Sequence, residues 1–228
     1  MAIIVNGVNI PTNGDFIKVG NTNIDRVICN GVTVWERMRD ADILAALCAG
    51  TLAYTKYQGP DHLSGKDSDG DDVDVDITHT GNIHAKYDLY AGVESDYIIF
   101  SNEISGVDHV DSDSASNGPN YIEFTYDLTS FNKLDFSGTK TADTSIGGNV
   151  WGKFHINIDG TRKSNEYMAS SRNDEESGDF AYTPFSESID VSSYTGVHTI
   201  KLVHEYWMHT QMTNCSTRFQ ITQLKLLS

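Results

Sequence analysis

The stretch Val150-Trp151-Gly152-Lys153-Phe154-His155-Ile156-Asn157-Ile158 decides the fold. Val150, Phe154, Ile156 and Ile158 fall on one parity; Trp151, Lys153, His155 and Asn157 fall on the other. Successive side chains of a strand point to opposite faces, so this reads as a strand with one face in a core and one turned outward. Alternation of this kind belongs to antiparallel sheets. Asp159-Gly160 then turns the chain.

The pattern recurs on both sides. In residues 121–128, Ile122, Phe124, Tyr126 and Leu128 share a face. In residues 199–206, Ile200, Leu202 and Tyr206 share one with His204. The last strand holds Phe219 and Ile221 in one phase and Leu224 and Leu226 in the other, which predicts a bulge near Thr222-Gln223. The fold class is therefore all-β, an antiparallel β-sandwich or jelly roll over residues 61–228. Polar stretches at 61–82, 107–120 and 163–178 read as loops between its strands. One phrase occurs twice, Asp127-Leu128-Thr129-Ser130-Phe131 and Asp190-Val191-Ser192-Ser193-Tyr194, and predicts one corner geometry used at two strand ends.

Residues 1–37 read differently. Val5 and Val8 flank Asn6-Gly7, residues 16–19 and 22–29 flank Gly20-Asn21, and Cys29 and Val32 flank Asn30-Gly31. Asn-Gly supplies the two positive φ angles of a type I′ turn, so the segment is predicted as a short meander of hairpins. Such a meander cannot bury a core alone, and it needs the rest of the chain, a copy of itself or another protein. Residues 38–60 read as a connector containing a short helix over Ile43-Leu44-Ala45-Ala46-Leu47-Cys48, capped by Asp40 or Asp42 and ended by Gly50. The first strand of the next domain is the alternative.

A formal charge of −16 sets the chain against phosphate backbones and anionic headgroups, so nucleic acid and membrane surfaces are not expected partners. No apolar run is long enough for a membrane span, and the opening Met1-Ala2-Ile3-Ile4-Val5 lacks the basic segment of a signal peptide. Synthesis in the cytoplasm without export by the usual route is the expectation. Cys29, Cys48 and Cys215 are odd in number and show no C-x-x-C, so reduced thiols are expected.

Residues 16–36 resemble a short β-module found near one end of tailed-bacteriophage virion proteins; Gly20, Ile24, Val27, Gly31, Val34 and Trp35 carry the likeness. Residues from about 85 to 228 resemble the galactose-binding-like and jelly-roll sandwiches of carbohydrate-binding modules and of phage tail and capsid accessory proteins. The two repeated corner phrases, with the strands that follow them, carry that likeness. Together they imply a non-enzymatic structural protein of a phage particle. It would dock through its N-terminal module onto other virion proteins and copies of itself, and project a sandwich toward host-surface carbohydrate. A stand-alone carbohydrate-binding module is the alternative, and a polysaccharide-degrading enzyme the third.

The catalytic motifs do not hold up. His204-Glu205-Tyr206-Trp207-Met208 has methionine where a zincin needs its second histidine, and no nucleophile elbow occurs. The candidate carbohydrate-binding residues are Trp151, Lys153, His155 and Asn157, because an indole beside hydrogen-bonding groups suits a sugar's apolar face and hydroxyl rim. The competing reading is that another layer or subunit covers this face. Asp67, Asp69 and Asp71 alternate in an acidic run that is either a solvated loop or a structural Ca²⁺ site. No cofactor is required by anything in the sequence.

Overall fold

The computed structural model describes residues 40–58, 85–106, 110–113, 118–144, 148–172, 182–210 and 215–228. It also describes short strands at 3–5, 8–10, 17–19, 22–24, 26–29, 32–36, 62–66 and 72–76.

Among the described residues, the six N-terminal strands pair two by two with one another. β1 (Ile3–Val5) pairs with β2 (Val8–Ile10), β3 (Ile17–Val19) with β4 (Thr22–Ile24), and β5 (Arg26–Cys29) with β6 (Val32–Glu36). The expected strand over 22–29 is thus two strands with different partners, and the expected meander is three two-stranded ladders.

The body of the chain is an antiparallel sandwich. Its remaining elements are β7 (Ala41–Asp42), α1 (Ile43–Cys48), β8 (Tyr54–Tyr57), β9 (His62–Lys66), β10 (Asp72–Asp76), β11 (Ala85–Val93), β12 (Ile98–Gly106), β13 (Val110–Asp113), β14 (Asn120–Asp127), β15 (Lys133–Thr144), β16 (Gly148–Ile158), β17 (Thr161–Arg162), β18 (Tyr167–Arg172), β19 (Thr183–Asp190), β20 (Val197–Thr210) and β21 (Cys215–Leu227). A six-stranded sheet runs β11-β12-β21-β15-β19, with β7 also on β21. A seven-stranded sheet runs β17-β16-β20-β14-β8, with β13 on β20 and β18 on β16.

Phe154 of the seven-stranded sheet joins the two layers. Its ring lies 5.9 Å from Phe100, 6.0 Å from Phe136, 5.7 Å from Phe185 and 6.0 Å from Phe219, all in the other sheet. Ile122, Leu134, Ile156, Leu202, Ile221 and Leu226 complete a core whose alternation is that predicted from the sequence. The bulge is also where the phase change places it. Ser137 pairs with Gln223 and Gly138 with Ile221, which leaves Thr222 extra. A Cβ on Gly138 would stand 2.1 Å from the Gln220 carbonyl oxygen, so the strands can approach there only at glycine.

The two corner phrases adopt one geometry. Asp127 Oδ1 accepts from the Thr129 amide and hydroxyl, as Asp190 Oδ1 does from those of Ser192. Leu128 and Val191 between them are fully buried.

Residues 38–60 contain the expected helix, with Asp42 Oδ1 accepting from the Ala45 amide at 3.0 Å and Gly50 following at φ +68°. The flanking chain belongs to the sheets: β7 joins one, β8 the other, and Ile43, Leu44 and Leu47 are buried. Three segments expected to be loops hold strands as well. β9 and β10 form a hairpin, β13 pairs with β20 and β18 pairs with β16. Charge concealed them, although Asp72-Val73-Asp74-Val75-Asp76 alternates with period two as a strand should.

Candidate functional site: the outward face of the seven-stranded sheet

The register turns β16 into part of a surface. Trp151 pairs with Trp207, Lys153 with Glu205, His155 with Val203 and Asn157 with Lys201 on β20. Beyond β20, Tyr121 of β14 pairs with Val203 and Glu123 with Lys201. Tyr57 and Thr55 of β8 pair with Tyr121 and Glu123. Rows across the strands result. One holds Trp207 and Trp151; another holds Tyr57, Tyr121, Val203 and His155; between and below them lie charged residues.

Val150, Gly152, Phe154, Ile156, Leu202, His204 and Tyr206 point into the core, so the parity of these rows is outward. Trp151, Trp207, Tyr121 and Tyr57 are half-buried. The middle strands of the opposite sheet offer a contrast: their outward positions hold Ser101, Glu103, Asp135, Ser137, Thr139, Arg218 and Gln220, with no ring among them.

The rings are held by neighbours. Tyr57 and Tyr121 stack at 5.6 Å with 22° between planes. Lys201 Nζ sits 4.1 Å from the Tyr121 centroid and 2.7 Å from Glu123 Oε2. Lys153 Nζ sits 5.0 Å from the Trp151 ring and 2.9 Å from Glu166 Oε1. Each ammonium covers a ring face with an attraction of about 0.5–1 kcal/mol at an exposed site.

The β16–β17 hairpin closes one edge. Asp159 and Gly160 turn at φ +50° and +75°, and Asp159 Oδ2 lies 2.6 Å from His198 Nδ1. That bond holds the Asp159 carboxyl below its ordinary range and raises the imidazole. Between β17 and β18 the chain departs from regular pairing: Ser164 Oγ accepts from the Ile156 amide at 2.8 Å. Glu166, in this detour, accepts from Lys153 and from Arg162, and its carboxyl is lowered first by the Lys153 bond.

The four residues singled out from sequence do share this face, in unequal settings. Trp151 and Lys153 are accessible. His155 is 6% exposed, and burial lowers its pKa, so it is neutral at pH 7. His155 Nδ1 and Asn157 Oδ1 are buried atoms with no partner among the described residues. Asp67, Asp69 and Asp71 lie outside the described residues, between β9 and β10. Among the described residues no group of three metal-ligating side chains forms. Trp207, Tyr121 and Tyr57 were missed. Trp207 was within reach, because it continues the parity opposite to Ile200, Leu202, His204 and Tyr206.

No family model matches the chain, and no curated protein does. Solved structures give distant likenesses. A carbohydrate-binding module of family 28, described as specific for non-crystalline cellulose, shares 9% identity over 63% of this chain and 80% of its own, with a TM-score of 0.30. A family 27 module described as recognising mannan shares 11% over 83% of this chain and 95% of its own, with a TM-score of 0.31. The enzymatically active domain of tailspike protein 4 of bacteriophage CBA120 shares 7% over 63% of this chain and 19% of its own, with a TM-score of 0.24. At such scores the likeness assigns no ligand, and the site rests on its own residues.

Proposed function

We propose that this chain is a non-enzymatic glycan-binding β-sandwich and that the outward face of its seven-stranded sheet is the binding surface. The observation that carries the reading is the gathering of Trp151, Trp207, Tyr121 and Tyr57 on that one face, interleaved with Lys153, Glu205, Lys201, Glu123 and Asn157. Pyranose rings present apolar faces and polar rims, so they need rings and hydrogen-bonding groups side by side. A face of charges alone would bind through salt-sensitive attraction; a face of rings alone would favour another protein.

The setting proposed is a phage particle, with residues 1–37 docking onto other virion proteins or further copies of the chain and the sandwich turned toward host-surface carbohydrate. The resemblance of residues 16–36 supports this, as does the pairing of the six N-terminal strands within their own hairpins. A stand-alone module would use the same face. A glycan array on the purified protein tests the binding, and immunoblotting of purified particles tests the setting. Absence of glycan binding together with oligomers that dissociate on Trp151→Ala would make the face a subunit contact instead.

A further inference from the structure

We infer that this face takes neutral glycans and turns away carboxylated or sulfated ones, an inference that rests on reading it as a glycan surface. Among the side chains described, the cations on the face are Lys153, Arg162 and Lys201, and each of these is paired with a carboxylate. Lys201 is 2.7 Å from Glu123, while Lys153 and Arg162 are each 2.9 Å from Glu166. Two of the three also lie over rings, Lys201 over Tyr121 and Lys153 over Trp151. Glu205 stands in register with Lys153 as a further anion.

Three cations are thus set against Glu123, Glu166 and Glu205, and His155 in their midst is buried. An acidic glycan would bring its own carboxylates against Glu123, Glu166 and Glu205, on a chain whose formal charge is −16. A neutral chain meets no such repulsion. Its hydroxyls can accept from the ammonium and guanidinium groups and donate to the carboxylates while the pairs stay intact. The pairs then act as fixed hydrogen-bonding rails beside the rings.

The test is titration calorimetry on the full chain with a panel of neutral oligosaccharides and with polygalacturonate, at low and high NaCl, repeated on Glu123→Gln/Glu166→Gln. The wild type should bind a neutral member with an affinity that changes less than about twofold across the salt range, because exposed charges alone are screened. It should leave polygalacturonate unbound at low salt. The double variant removes the carboxylate bonded to each of the three cations, leaves Glu205 in place, and should gain salt-sensitive binding to polygalacturonate. Polygalacturonate binding by the wild type, or a double variant that gains none, overturns the neutral assignment and leaves glycan binding standing. Binding to neither class overturns the glycan reading itself.

Discussion

Trp151 of β16 stands directly opposite Trp207 of β20, both on the outward face of the seven-stranded sheet. Neither indole is among the buried core residues, so each can be removed without emptying the interior between the sheets. Trp151→Ala and Trp207→Ala should each weaken glycan binding by ~1–3 kcal/mol, as for aromatic anchors at other interfaces. The melting midpoint of each should stay close to that of the wild type. Calorimetry and thermal melts on the same samples check both halves.

Phe154→Ala should do the reverse. The ring is fully buried among four phenylalanines of the other sheet, and its loss should destabilise the domain by ~3–5 kcal/mol through the cavity left behind. Urea unfolding checks this. A Phe154→Ala midpoint equal to that of Trp151→Ala would mean that the two faces of β16 had been assigned the wrong way round.

Gly138→Ala places a methyl group against the Gln220 carbonyl at the bulge. Backbone cannot move aside as a side chain does, so a loss of ~1–3 kcal/mol is expected, typical of overpacking. A substitution that leaves the urea midpoint unchanged would show that the strands part easily there.

His204 makes stability depend on pH. It is fully buried, its Nδ1 lies 3.3 Å from Asn120 Nδ2, and its Nε2 lies 3.4 Å from Thr217 Oγ1. Thr217 in turn donates to Asn102, so with Nδ1 accepting from Asn120 the ring proton belongs on Nε2. Burial pushes the His204 pKa down to about 3. The unfolded chain binds this proton near the ordinary value of about 6.5, so the folded state's advantage is complete above that pH and falls as pH drops toward 3. His155, lowered in the same direction by burial, adds to the effect. The half-buried His198 is raised by its bond to Asp159 and works the other way. Unfolding free energy should decline between about pH 6.5 and 5 with a slope of up to ~1.4 kcal/mol per unit for each buried histidine. A flat profile there would mean that His204 is protonated in the folded protein.

Much of the fold is legible in the sequence because period two is a local property. Phe154 and Ile156 declare the inward face of β16 by themselves, and the phase change from Ile221 to Leu224 declares the bulge. The binding face is legible only in part. Trp151 and Lys153 follow from parity within one strand, whereas Tyr121 and Tyr57 reach the same surface through pairings across β20 and β14 that no local pattern states. His155 is outward by parity yet buried, which no local pattern states.

The boundary after residue 37 has its own test. A chain beginning at residue 38 retains β7, α1 and every strand of both sheets. It should melt as the full chain does and fail to incorporate into particles, as sedimentation with purified virions would show. Loss of folding on truncation would place residues 1–37 within the core of the domain.

The most direct measurement of the central claim is affinity electrophoresis through a series of neutral polysaccharides, comparing the wild type with Trp151→Ala/Trp207→Ala. The prediction is that at least one polysaccharide retards the wild type, and that the double variant, with its fold intact by circular dichroism, migrates as it does in a gel without polysaccharide. Equal retardation of the two proteins would contradict the claim by placing the glycan on a surface other than this sheet.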